Sequence, residues 1–113
     1  LMLNMNFAER VVIDTTTMPW QPSPMAGVQR KPLSRGGVES GHATSLVSYA
    51  AGSSFQSHPH PGGEEILVLA GTFSDEHGDY PAGTWLRSPH ASAHTPFSKP
   101  GCTILVRTGH LVD

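Results

Sequence analysis

His58 and His60 stand one residue apart, Glu64 follows four positions after the second, and His94 lies thirty positions beyond Glu64. Imidazoles at i and i+2 of an extended segment point to the same side of a sheet. A carboxylate just past that segment and a third imidazole from a later strand could close a first-row metal site. Imidazole suits Zn, Cu, Fe and Ni, and a carboxylate adds charge and hardness. With 7 His in 113 residues, roughly 0.4 His-x-His pairs arise by chance. Requiring Glu at the fourth position after the second His lowers the expectation to about 0.02. Gly52 lies six positions before His58, and Gly71 seven after Glu64. Demanding both glycines as well leaves a few in ten thousand, by the same counting.

The pattern Gly52-x5-His58-x-His60-x3-Glu64-x6-Gly71 resembles the first signature motif of the cupin superfamily. The second motif of that superfamily, G-x5-P-x-G-x2-H-x3-N, is matched by Gly83-x5-Pro89-x-Ala91-x2-His94 with two departures. Ser98 stands in place of the asparagine, which is not a metal ligand in the family. Ala91 replaces a glycine at a turn where Gly allows φ > 0 and Ala resists it. The text between the motifs, beginning HPGGEEILVLAGTFSDEHGDYPAGTW, and the lead-in MPWQPSPMAGVQRKPL look like ChrR-like cupins. These are relatives of the C-terminal cupin domain of the anti-sigma factor ChrR. The resemblance runs from about Asp14 to His110. It implies an all-β double-stranded β-helix, the cupin or jelly-roll barrel. It also implies one divalent transition metal ion per chain, held by His58, His60, Glu64 and His94. Zn and Fe lead as candidates, followed by Mn, Ni and Co.

The elements that would position these residues are short apolar runs between glycine and proline punctuation, the rhythm of an all-β sandwich or barrel. Candidate strands are Arg10–Asp14, Val28–Leu33, Ser45–Ala50, Phe55–His60, Glu65–Gly71, Thr72–Gly78, Thr84–Arg87, Ala93–Phe97 and Thr103–Thr108. Ile66-Leu67-Val68-Leu69 is apolar on both faces, as a strand buried on both sides would be. Gly78 to Gly83 reads as a turn cluster. Met18–Gly27 carries Pro19, Pro22 and Pro24 and reads as an extended arm, since proline is excluded from helix interiors and central strands. The expected division is an N-terminal strand and Pro-rich arm over residues 1–27 and a barrel over residues 28–113, within one domain. Val11-Val12-Ile13 would add to the edge of a partner's sheet and give a homodimer; the alternative is packing within its own domain.

Each candidate has a plainer reading. Pro59 and Pro61 place the His58–His60 segment at a rim or bulge, where both imidazoles could simply be exposed. Glu64 competes with Glu65; Gly62-Gly63 permits the tight bend that returns Glu64 to the metal, with Glu65 on the opposite face. His94 could be a core histidine. His90 reads as a surface or supporting residue, and His42, His77 and His110 as solvated. Cys102 reads as a small buried thiol, with a redox-active thiol near the metal as the alternative. Tyr49, Phe55, Phe73, Trp85 and Phe97 could line a pocket or fill a core.

A chain of 113 residues suffices for one core. A net charge of −2 argues against a phosphate-tracking surface, so nucleic acid is not expected as a partner. No run approaches the roughly 18 apolar residues of a bilayer span, and no signal peptide is indicated. A single Cys fits a reducing cytoplasm. The expected ligand is a small molecule: four protein donors without thiolate leave room for exchange, unlike a closed structural zinc site. Two functions follow. One is a metal-binding cupin that binds or senses a small ligand or oxidant. The other is an iron dioxygenase cleaving a diketone or hydroxy-ketone, so turnover stays open. With one Cys, the sequence is not expected to hold a sigma factor through a zinc-dependent anti-sigma domain.

Overall fold

The computed structural model describes residues 2–37 and 41–112; the outer limits of the expected division, 1 and 113, lie outside them. Among the described residues, eleven strands and one short 3-10 turn, Thr15–Thr17, follow in order. The strands are β1 (Gln21–Pro22), β2 (Val28–Arg35), β3 (Ala43–Tyr49), β4 (Ser53–Ser54), β5 (His58–Pro59) and β6 (Glu64–Asp75). They continue with β7 (Gly78–Pro81), β8 (Trp85–Ser88), β9 (Ala93–His94), β10 (Phe97–Ser98) and β11 (Cys102–Thr108). Nine of them form one sheet, in the path β1-β2-β3-β11-β6-β10-β4 with β7 and β8 also on β6, and β5 pairs β9 separately. Every pairing is antiparallel. The fold is the curled all-β architecture that the sequence implied, and among the described residues no helix is long and apolar enough to cross a membrane.

Strand β6 closes the curl. Its first half pairs β8 and β11, while Thr72–Asp75 pairs β7. The two candidate strands Glu65–Gly71 and Thr72–Gly78 are therefore one bent strand. A register shift opposite Thr103/Ile104 marks the bend, where Leu69 has no partner on β11. Bulges of this kind increase local twist. Gly71 follows at φ 70°, where a Cβ would meet the Gly101 carbonyl oxygen at 2.1 Å.

Other expectations shift for equally local reasons. Gly78–Pro81 is strand β7 rather than turn, and the reversal comes earlier, at Glu76 and His77, where Asp75 Oδ1 accepts the His77 N–H at 2.9 Å. The Phe55–His60 candidate yields only the two residues of β5, and Ala93–Phe97 is split at Pro96 into β9 and β10; proline has no N–H to give a ladder. Arg10–Asp14 is not a strand. Asp14 caps the 3-10 turn instead, accepting from the Thr16 amide at 3.0 Å and hydroxyl at 2.6 Å. That local bonding competes with sheet pairing. Val11, Val12 and Ile13 are exposed. The Pro-rich arm does cross the surface: β1 pairs the edge of β2, Lys31 Nζ donates to the Thr15 carbonyl at 2.8 Å, and the Trp20 ring covers the same ammonium.

Alternation along β2, β3, β6 and β11 sends Val28, Val47, Tyr49, Ile66, Val68, Ile104 and Val106 inward, joined by Phe73 and Cys102. Full burial of each large side chain contributes about 1.5–3 kcal/mol. Tyr49 sets its ring edge-to-face against both Phe55 and Phe73, at 5.6 and 5.7 Å between centroids. The other face of β6 is not buried as the apolar run suggested, for Leu69 is 47% exposed. Cys102 is buried, and burial pushes its thiol up despite the Ser98 hydroxyl.

Candidate metal centre

The short ladder between β5 and β9 sets His58 directly opposite His94, the closest spacing two strands offer to side chains. His60 lies just past β5, anchored by its own N–H to the Ser92 carbonyl at 2.9 Å. One nitrogen from each of His58, His60 and His94 lies within 4.8 Å of the others. At a Zn–N bond length near 2.1 Å, two donors on one ion stand at most about 4.2 Å apart.

Glu64 opens β6 on the inward face. Its Oε1 lies 3.4 Å from His60 Nε2 and 3.3 Å from His94 Nε2. Gly62 and Gly63, at φ 79° and 78°, make the bend that returns the chain to this point. Neither tolerates a side chain, since a Cβ would meet Gly109 Cα at 2.6 Å or Leu111 Cδ1 at 2.5 Å. His90 staples the same bend by accepting the Gly62 N–H on Nδ1 at 2.8 Å. It supports the loop while its side of the turn stays exposed. Glu65 faces the other way, bonded to Arg87 Nε at 2.8 Å and in contact with His110. His110 is thus half-buried in an ion cluster rather than solvated as expected, whereas His77 is exposed.

Two of the three imidazoles are held from behind. His58 Nδ1 is engaged by the Gln56 carbonyl at 2.9 Å, which frees Nε2. His94 Nδ1 lies 3.3 Å from Asp75 Oδ2, leaving Nε2 toward Glu64. A carboxylate or carbonyl behind an imidazole fixes its tautomer and ring orientation. Among the described residues, buried His60 Nε2 and Glu64 Oε1 have no hydrogen-bond partner. Orphaned polar atoms are costly, and a cation between them would satisfy both. Burial lowers the His60 pKa against the pull of Glu64. Burial acts downward on His94 too, but Glu64 and Asp75 on either side outweigh it and raise its pKa.

Asp75 carries no signature in the motif pattern. Burial pushes its carboxyl up, but the His77 N–H, the Tyr80 hydroxyl and His94 outweigh that and hold it below the usual range. Period-2 reading from Phe73 was the available signal, because it places a carboxylate on the same inward face as a core aromatic.

The cluster opens onto a cavity of about 450 Å³. Tyr49, Phe55 and Phe73 line it as expected, while Trp85 and Phe97 do not. Trp85 is 55% exposed on the outer face of β8, beneath the Arg87 guanidinium.

A family model described as the ChrR cupin-like domain matches residues 8–112. Among solved structures, the complex of Rhodobacter sphaeroides SigE with the anti-sigma factor ChrR matches at 29% identity and TM-score 0.69, over 81% of this chain and 50% of that one. This chain therefore spans half the length of that relative. An acetylacetone dioxygenase from Acinetobacter johnsonii matches at 22% identity and TM-score 0.72, over 88% of this chain and 72% of that one. An RmlC-like cupin from Ralstonia eutropha matches at 20% identity and TM-score 0.76, over 88% and 68%. The last two share the fold. A search of the curated proteins finds no match.

Proposed function

We propose that this chain, which belongs to the ChrR cupin-like family, holds one divalent transition metal ion through His58, His60, His94 and Glu64 and uses it to bind or sense a small ligand. The observation that carries this reading is the convergence of three imidazoles within 4.8 Å, beside a buried carboxylate with an orphaned oxygen. Zn or Fe suits this donor set best, with Mn, Ni and Co also compatible. When bound, the ion would act as a Lewis acid with open positions toward the cavity. The chain's own contribution is orientation. Gln56 and Asp75 fix two imidazoles from behind, Gly62-Gly63 delivers Glu64, and the walls of Tyr49, Phe55 and Phe73 restrict water.

The second reading, an iron dioxygenase acting on a diketone or hydroxy-ketone, is favoured by the same cavity: apolar walls meet an unclosed donor set, room enough for a small ligand beside the ion. The sigma-factor complex belongs to a relative twice as long and is not carried over. A homodimer through the exposed Val11–Ile13 segment stays part of the proposal, and sedimentation gives its mass directly.

One experiment separates the readings: metal analysis of the purified protein, followed by O₂ consumption after iron loading with small β-diketones supplied. Tight zinc without uptake supports binding or sensing. Uptake that His94→Ala abolishes supports the enzyme. Absence of any retained ion contradicts both.

A further inference from the structure

Resting on the metal reading above, the class of ligand follows from one cation. Strand β2 turns Arg30 inward, in line with Val47 on β3 and Ile104 on β11. Arg30 lines the same cavity as His58, His60, His94 and Glu64, and among the described residues it is the one Lys or Arg side chain doing so. Among the described residues no carboxylate pairs with it; Arg87 takes Glu65, and the other ion pairs are histidine–carboxylate contacts. A half-buried guanidinium facing a cavity without a counter-ion is costly, so its place there calls for an anion from outside.

The separation is right for a small molecule. Two strands, β3 and β11, lie between β2 and β6, and Arg30 is level with Val68, four residues along β6 from Glu64, so the two backbones are offset by roughly 14 Å across the strands and roughly 13 Å along them. The arginine and Glu64 side chains reach back across part of that span. Tyr49 lines the same cavity. Burial pushes its phenol well up, Glu64 pushes the same way and Arg30 opposes, so both charges are within electrostatic reach of its ring. The charge balance agrees: a divalent ion with the Glu64 and Asp75 carboxylates and three neutral imidazoles sums to zero, and Arg30 leaves one positive charge for an anion.

We infer that the cavity takes a small carboxylate-bearing ligand, whose carboxylate pairs with Arg30 while its other oxygens reach the three-histidine end. The planar guanidinium suits a carboxylate by two parallel hydrogen bonds. The apolar wall between the two ends suits a short hydrocarbon linker.

The test uses two probes with the same chelating head, 2,4-heptanedione and 4,6-dioxoheptanoate, titrated by calorimetry into the zinc-loaded protein. Only the second carries a carboxylate. It is expected to bind roughly 10-fold tighter or more, the scale of one charge-assisted pair. Arg30→Met is expected to erase the preference without changing metal content or heptanedione affinity, and Arg30→Lys to restore part of it. Equal affinities, no binding of either probe to metal-loaded protein, or a preference that survives Arg30→Met would each overturn the assignment. The wild-type comparison decides by itself if Arg30→Met does not fold. Metal retained without a carboxylate preference sinks the ligand class alone; no retained metal sinks both readings.

Discussion

Asp75 stands behind His94: its Oδ2 lies 3.3 Å from Nδ1, on the side of the ring away from Glu64. The carboxylate is itself held by the Tyr80 hydroxyl at 2.9 Å, so a two-step support runs from β7 to the third imidazole of the cluster. Removing a partner of this kind typically costs 10–100-fold in metal affinity. Asp75→Asn, which keeps the shape and loses the charge, is expected to weaken metal binding by about that factor in competition with a chromophoric chelator. Unchanged affinity would show that His94 is oriented by its strand alone.

Ala91 adopts φ 65° in the turn before His94, a conformation that costs an L-residue about 1–2 kcal/mol. Part of the relief from a glycine there is offset by added freedom in the unfolded chain. Ala91→Gly is therefore expected to stabilise the protein by about 0.5–1 kcal/mol, read as a higher urea midpoint at unchanged slope. A lower midpoint would mean the turn favours Ala for a reason outside its backbone.

Gly71 predicts the opposite sign. Its Cβ would lie 2.1 Å from the Gly101 carbonyl oxygen, at φ 70°. Gly71→Ala combines a backbone clash with a strained conformation and is expected to destabilise by at least ~2 kcal/mol. Thermal unfolding measures it; a wild-type melting temperature would contradict the bend described for β6.

Both tyrosines of the chain are expected to titrate late. Burial, then the Asp75 hydrogen bond and neighbouring carboxylates, push the Tyr80 phenol up to about 12, and burial pushes Tyr49 up as well. Because the folded value lies above the unfolded one, the stability Tyr80 contributes is fully present below pH 10 and is lost as pH rises toward 12. Absorbance at the phenolate band is expected to show no step near pH 10 while the protein is folded. Such a step, removed by Tyr80→Phe, would mean that the Asp75 bond does not form.

The three histidines were legible because two stand one residue apart in an extended segment and motif spacing supplies the third, which β5–β9 pairing then sets opposite the first. The all-β class was legible from the punctuation of short runs. What escaped reading had local causes. The Val-rich segment before Thr15 lost its strand to an Asp14 cap, and β6 reads as two strands because a bulge and one positive-φ glycine bend a single one. The apolar run at Ile66–Leu69 gave no sign that Leu69 faces solvent. Asp75 and Arg30 belong to no motif, and only the curl of the sheet brings one behind His94 and the other to the cavity.

The central claim is that His58, His60 and His94, with Glu64, surround a single ion. Crystals grown from metal-supplemented protein, with diffraction recorded on both sides of the metal's absorption edge, test it directly. One anomalous peak per chain is expected, within bonding distance of all three imidazoles and the Glu64 carboxylate. A peak elsewhere, or none while the metal is present in the crystal, would contradict it.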